Sequence, residues 1–536
     1  MPNARDRILP PYTRRLDDLR HLATKALLIV GLIMSAMLMG FWLAVFGTFV
    51  AQPFIGLIGL LFLLALWLAD DTEPDYRRQV TKLLFVFLGL EMIWPPYLAF
   101  DLPGLPWITP PRIALALLVF MGLIQMAQSS RARAELVGVL KSAPLPMVSY
   151  LLFWILAFAA AFIGSTPGSS LGETISSLLL WNMSFVLALW VMTDEQSFPR
   201  FVRLMLFAFS FVFVLTVFEY MQRKPIWFDY IPGFLKIDGP LFAALMAEQG
   251  RVGDDRYRAR GNLGVHLYFA QALLLTVPFM VHYALASRRL RTQAVALALL
   301  GFTLVITWMT NTRTGMTGFI LMALGGLAVF ALRRFLNPTS KADMVAPALF
   351  MAAPAGAVVM MALIAASPRL QTMTLGGAQH RGSDEGRDRQ WDKAIDALSQ
   401  NPFGYGGGNS GPLAGRLGAA DIWIVDSAWI NLLLDYGVLA ALGFAILLAS
   451  TAWFGVRLYL RGGDEAADLC GPAAVSLGGF ALTMYTISYF GNFALMLMLV
   501  AGILGTRYRL GLADAQARPV KSPPPLTLGP RRMTVA

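Results

Sequence analysis

The sequence predicts an all-α, polytopic integral membrane bundle of about fourteen spanning helices, with one large water-facing segment between spans 11 and 12. Three observations predict it. The 536 residues are 57% hydrophobic and 14% charged, whereas soluble domains carry about a quarter charged residues. The apolar runs repeat at the length that a bilayer-spanning helix needs. Lysine and arginine sit in short clusters between those runs, as the preference of basic residues for the cytoplasmic side requires.

Residues 1–25 are polar and basic and form a cytoplasmic N-terminal tail; no cleavable signal peptide is expected there. Residues 26–366 hold the main helical bundle. Its first two spans are Ala26–Phe46 and Phe49–Ala69, followed by an inner loop with Arg77, Arg78 and Lys82. Span 3 (Leu83–Phe100) ends in WPPYLAF, and span 4 (Ile113–Gln128) follows a proline- and tryptophan-rich outer link. Arg131, Arg133 and Lys141 mark the next inner loop. Spans 5 (Pro146–Gly164) and 6 (Ser177–Met192) flank an outer Ser/Gly loop, and span 7 is Leu204–Met221.

The outer loop 222–262 carries an apolar patch, GPLFAALMAEQG, suited to the membrane surface. Spans 8 (Leu263–Leu285), 9 (Ala294–Met309), 10 (Thr314–Leu332) and 11 (Val345–Ala366) follow. Residues 367–428 form the large outer loop. Residues 429–506 hold the last spans, the first running from Trp429 to Phe454, and 507–536 are a basic cytoplasmic tail. This alternation puts both termini inside and both long loops outside.

The net charge of +11 does not point to nucleic acid, because the cations flank spans and form no water-facing stripe. The single cysteine, Cys470, excludes an internal disulfide, and the four histidines lack zinc-ligand spacing. A secondary transporter would show repeats and ionisable residues at mid-bilayer. Here the notable charges collect at the outer rim.

Both outer loops are rich in arginine, which points to an anionic ligand at that face. Arg313, in TNTRTG between spans 9 and 10, has a guanidinium fork suited to phosphate oxygens and lies beside a helix N-terminus. A snorkelling interfacial arginine fits the same position. Arg258, Arg260 and His266 lie in RARGNLGVH at the mouth of span 8, where His266 is a proton carrier or a satisfied polar residue. Arg387, Trp391, Ala394, Ile395 and Leu398 recur at helical spacing and predict a short amphipathic helix ended by Asn401-Pro402, with Arg389 on the same segment. GYGGGNSG, with Tyr405 and Asn409, is either an anion cradle or a turn; it lacks a nucleotide-loop ending. Asp426 stands at the lip of span 12, as a general base, a helix cap, or the salt-bridge partner of Arg313 or Arg260. Asp435 is a second acid, deeper in the same segment.

These blocks (Arg387-x-x-x-Trp391-x-x-Ala394, NPFGYG at 401–406, Asp426-Ser427 leading to Leu433-x-x-x-Gly437, the TNTRTG turn and RARGNLGVH) resemble the bacterial O-antigen ligase and exopolysaccharide polymerase (Wzy-type) superfamily. The resemblance implies a GT-C-like membrane glycosyltransferase of the bacterial inner membrane, with the large loop in the periplasm. The implied donor is a glycan on undecaprenyl diphosphate and the acceptor a growing glycan, with no cofactor and no metal. By this resemblance Arg260 and Arg313 hold the diphosphate, while Arg258, His266, Arg387, Arg389, Trp391, Tyr405 and Asn409 line the substrate. The ligase branch has a histidine-asparagine pair where this chain has Asp426-Ser427. That departure favours a polymerase over an O-antigen ligase or a protein O-oligosaccharyltransferase, and makes Asp426 the candidate base. A copolymerase that sets chain length is the implied partner.

Overall fold

A computed structural model describes residues 72–100, 107–235, 257–338, 344–367, 371, 381–417, 423–487 and 493–517. Their helices, in chain order, are α1 (Arg77–Ile93), α2 (Pro110–Gln128), α3 (Ser130–Ser142), α4 (Pro144–Ile163), α5 (Pro167–Ser177), α6 (Met183–Val191), α7 (Ser197–Gln222), α8 (His266–Ala286) and α9 (Leu290–Met309). They continue with α10 (Arg313–Leu336), α11 (Val345–Ala366), α12 (Arg381–Gln400), α13 (Ser410–Ala414), α14 (Ala428–Tyr436), α15 (Val438–Arg461), α16 (Glu465–Thr483) and α17 (Phe493–Ala517). Two short strands, β1 (Arg416–Leu417) and β2 (Trp423–Ile424), pair antiparallel with Arg416 opposite Ile424.

Ten of the described segments are long and apolar enough to cross a membrane. They coincide with expected spans 4–10 and 12–14. Spans 1 and 2 fall outside the described residues, as do the patch at 239–250 and the tail from 518. Expected span 3 is α1, a 17-residue helix that begins already at Arg77 and stops at Trp94 before the paired prolines. Expected span 11 is the 22-residue α11. The expected outer Ser/Gly loop is instead helical: Pro167 opens α5, which runs through a π-helical turn at Leu178–Asn182 into α6.

Local chemistry sets the starts. Thr109 caps α2 through Arg112 N at 3.3 Å, with two prolines in the first turn, where their missing N–H groups cost nothing. Ser129 caps α3, Thr312 caps α10 and Asp464 caps α16 in the same way. Burial then sorts centre from rim. In α8 and α17, 78% of the apolar window is buried within the protein, against 22% in α9. The first two are therefore central, and α9 leaves most of its surface uncovered by the rest of the described residues. The main core joins residues such as Phe209, Phe269, Phe444 and Leu497 from four of the helices.

The expected span 12 is broken. Gly437 sits at φ +86, and a Cβ there would come within 2.5 Å of the Phe403 carbonyl carbon. The chain turns at this glycine, so α14 is a separate nine-residue helix and α15 alone is the span. With α12, α13 and the β1–β2 hairpin, α14 builds a cap with its own core of Ala394, Ala414, Val425, Ile430 and Leu434, onto which Trp391 and Leu398 pack. Ile395, expected on that apolar face, is 59% exposed.

The bundle has two polar ends. At one lie the C-terminal ends of α1, α7, α9 and α16 and the N-terminal ends of α8 and α10, tied by bonds such as Asn262 Nδ2 to Met92 O (2.8 Å) and Ala259 N to Met309 O (3.0 Å). At the other, Arg77 pairs with Glu135, Arg333 with Asp468 and Arg509 with Asp464. The cap sits on the first end.

Candidate functional site

Arg313 is the first residue of α10. Its Nη1 donates to Asp384 Oδ2 at 3.1 Å and its Nη2 donates to Asp384 Oδ1, a two-pronged pair between a bundle helix and the first turn of α12. Arg387, one turn along α12, reaches the same carboxylate at 3.5 Å. The Arg313 and Arg387 side chains are 22% and 16% exposed, and Asp384 is 45% exposed. Two guanidiniums thus share one half-exposed carboxylate. Such forks bind carboxylate and phosphate oxygens alike.

Trp391, the next turn of α12, stacks on Tyr485 with ring centroids 5.7 Å apart and planes 21° from parallel. Both Trp391 Nε1 and Arg387 Nε are buried donors without a hydrogen-bond partner among the described residues. Tyr485 belongs to the short segment after α16, and that segment is a junction. Thr486 Oγ1 lies 2.9 Å from Thr314 Oγ1 at the start of α10. Met484 O and Ile487 O both accept from Ala428 N at 2.9 Å, anchoring the start of α14. Arg313, Trp391 and the Asp426 lip are thereby held around one stretch of backbone.

Asp426 differs from expectation in its partners. Its backbone N donates to Gln390 Oε1 at 2.8 Å, and its carboxylate faces Arg416 across the β1–β2 hairpin at 3.7 Å. Its ion-pair partner is therefore Arg416; neither Arg313 nor Arg260 plays that part. Nor does it cap α14: the N-cap position is Ser427, whose hydroxyl donates to Met484 O at 3.2 Å. The Asp426 side chain is 22% exposed and keeps acceptor capacity toward solvent.

Arg260, expected at the mouth of span 8 to hold the diphosphate, is 3% exposed. Its guanidinium lies over the rings of Phe228 and Tyr257, at 5.6 and 5.9 Å from the centroids. Its backbone N donates to Glu219 Oε1 at 3.0 Å, beside the Tyr257 hydroxyl at 2.7 Å, while Gly261 N donates to Oε2 at 2.9 Å. Glu219 closes α7 and was not singled out from the sequence, although a lone carboxylate at the end of an apolar run is a signal. Arg258 Nη1 and His266 Nε2 are 3.1 Å apart; guanidinium only donates, so the ring nitrogen accepts.

Three other expected substrate residues serve the cap instead. Arg389 is on the outer face of α12, with Nε bonded back to Glu385 O at 3.2 Å. The Tyr405 hydroxyl donates to Ala397 O at 2.8 Å. Asn409 Nδ2 donates to Thr166, Ser170, Tyr405 and Gly406 oxygens at 2.9–3.1 Å, clamping the glycine run to α5. That run is a turn, not a cradle. Tyr405 N and Gly406 N are spent on Leu434 O and Asp435 O at 2.8 and 2.9 Å. Asp435 is buried and accepts from Ser410 N at 2.7 Å. Burial raises its carboxyl to about 7, against the lowering pull of the Ser410 N–H.

A groove of 110 Å³ runs between α10 and α16, from Thr314 and Thr486 past Gly318 and Gly479 to Leu321 and Leu482. Leu321 and Leu482 are 55% and 64% exposed. The groove thus leads from beside Arg313 to the lateral surface. Among the described residues, no group of three or more His, Cys, Asp or Glu is placed to hold a metal ion.

Residues 295–445 match the family model described as O-antigen ligase. The match spans Arg313, Asp384, Arg387, Trp391 and Asp426, and begins after Arg258, Arg260 and His266. No curated protein matches the chain.

Proposed function

We propose that this chain, a member through residues 295–445 of the O-antigen ligase superfamily, polymerises glycan repeat units carried on undecaprenyl diphosphate at the outer face of the bacterial inner membrane. The observation that carries the reading is the Arg313–Asp384–Arg387 cluster at the head of a laterally open groove. Fork-shaped cations at the bundle end suit a diphosphate. An apolar groove beside them, open to lipid, suits the start of an isoprenoid.

In this reading Asp384 holds the two guanidiniums until donor arrives, and the diphosphate then displaces it. The acceptor sugar hydroxyl attacks the anomeric carbon from the side opposite the diphosphate. A new C–O bond forms, the bond to the diphosphate oxygen breaks, and configuration inverts. Arg313 and Arg387 neutralise the charge gathering on the leaving oxygens. Asp426 takes the hydroxyl proton, its backbone fixed by Gln390 and its carboxylate partly open to solvent. Trp391 and Tyr485 offer an aromatic wall against a sugar face. Arg260 acts behind them, holding the segment before α8 to Glu219 of α7, while Ala259 N ties the same segment to the end of α9. The basic clusters gathered at the other end support placing that end in the cytoplasm.

The test is reconstitution of the purified chain in liposomes with a defined lipid-linked oligosaccharide. Polymerisation gives a ladder of products spaced by one repeat, with free undecaprenyl diphosphate released at each step. Transfer only to lipid A core or to protein would assign the ligase reaction, and uptake without bond formation would assign transport.

A further inference from the structure

The end of the bundle opposite Arg313 carries a cleft that the proposed reaction does not use. It measures 690 Å³ and lies between α3, α15 and α17. Four of its lining side chains are cationic: Lys141, Arg457, Arg461 and Arg507. Among the described residues a single carboxylate pairs there, Asp514 with Arg461. Lys141 and Arg457 are exposed and face no carboxylate at ion-pair distance among the described residues. Arg507 is held in place, with Nε donating to Ser142 O at 2.8 Å and its guanidinium 3.7 Å from the centroid of the Phe454 ring.

Like charges gathered this closely repel one another, and an anion in the cleft removes that penalty. The depth narrows the class of anion. α15 and α17 are both membrane-crossing by length and apolarity, and the cleft lies at their ends, where lipid phosphates sit. Phe454 and Leu512 add an apolar wall beside the cations. A free phosphate would satisfy the charges alone; a phospholipid would satisfy the charges and the wall together. We propose that this cleft binds the phosphate headgroup of an anionic phospholipid, as basic recesses between membrane helices can.

The experiment uses the delipidated full chain in a zwitterionic detergent. Thermal unfolding and native mass spectrometry are followed with phosphatidylglycerol, phosphatidylcholine or inorganic phosphate added. Phosphatidylglycerol should raise Tm by several degrees and give a discrete bound adduct, and the other two should not. The double variant Lys141→Gln/Arg457→Gln should weaken the phosphatidylglycerol response about tenfold. Arg288→Gln/Arg289→Gln, at exposed basic positions outside the cleft, should leave it unchanged. Should the double variant fail to insert, Arg457→Gln alone should still deplete the adduct and Arg457→Lys should restore it. A full response in the cleft variants, or equal effects of phosphatidylcholine, would overturn the proposal. An equal shift with inorganic phosphate would overturn it in favour of a free-anion site.

Discussion

Asp384→Asn removes the negative charge that the two arginines share while nearly preserving side-chain shape. Arg313 meets Asp384 through both prongs, at 22% and 45% side-chain exposure. Exposed pairs contribute about 0.2–1 kcal/mol, and two-pronged geometry puts this one near the upper end, about 1 kcal/mol. If donor diphosphate must displace Asp384, that energy opposes donor binding. Its loss should lower KM for the lipid-linked donor about fivefold, with kcat little changed. The assay is initial-rate release of undecaprenyl diphosphate over a range of donor concentrations in liposomes. The effect should shrink as salt is raised, because a half-exposed pair is screened. A KM that rises in Asp384→Asn would mean that the carboxylate orients Arg313 for the donor, and displacement would be refuted.

Other perturbations address the remaining parts. Asp426→Asn should cut kcat by about a hundredfold or more while donor KM holds; full turnover across pH would remove Asp426 from the chemistry. Gly437→Ala should prevent accumulation of folded protein, since the new Cβ would meet the Phe403 carbonyl group at 2.5–2.6 Å and φ is +86; normal yield and melting would contradict the break between α14 and α15. Asp435 has its folded pKa raised from 3.8 to about 7. Its contribution is therefore complete below about pH 4 and lost as pH rises through about 7, on the order of 4 kcal/mol in all. Asp435→Asn should flatten that part of the melting-temperature profile, and identical profiles would contradict it.

Ten of the expected spans were legible because lipid admits few alternatives to an apolar helix, and those runs were long enough to declare themselves. The break at Gly437 was not, because it depends on Pro402 and Phe403 packing against it from across the cap. Arg313 was legible as a costly charge beside a helix start. Its partner was not, because Asp384 lies 71 residues away and was one acid among several in RGSDEGRD. The glycine run admitted both a cradle and a turn from sequence; only the pairing of its N–H groups with the end of α14 distinguishes them. Trp391 was visible as one stripe of a helix, whereas Tyr485 and Thr486 reach the site from a distant segment with no motif of their own. Arg260 was visible as a charge at a helix mouth, but its burial over Phe228 needed the fold of the preceding loop.

The central claim is that Arg313 meets the donor's diphosphate. Equilibrium binding of a non-transferable undecaprenyl phosphonophosphate analogue, compared between the purified chain and Arg313→Ala in the same liposomes, tests it most directly. Loss of a two-pronged charged contact should weaken binding by about tenfold or more, with insertion and melting unchanged. Equal affinity in the two proteins would contradict it.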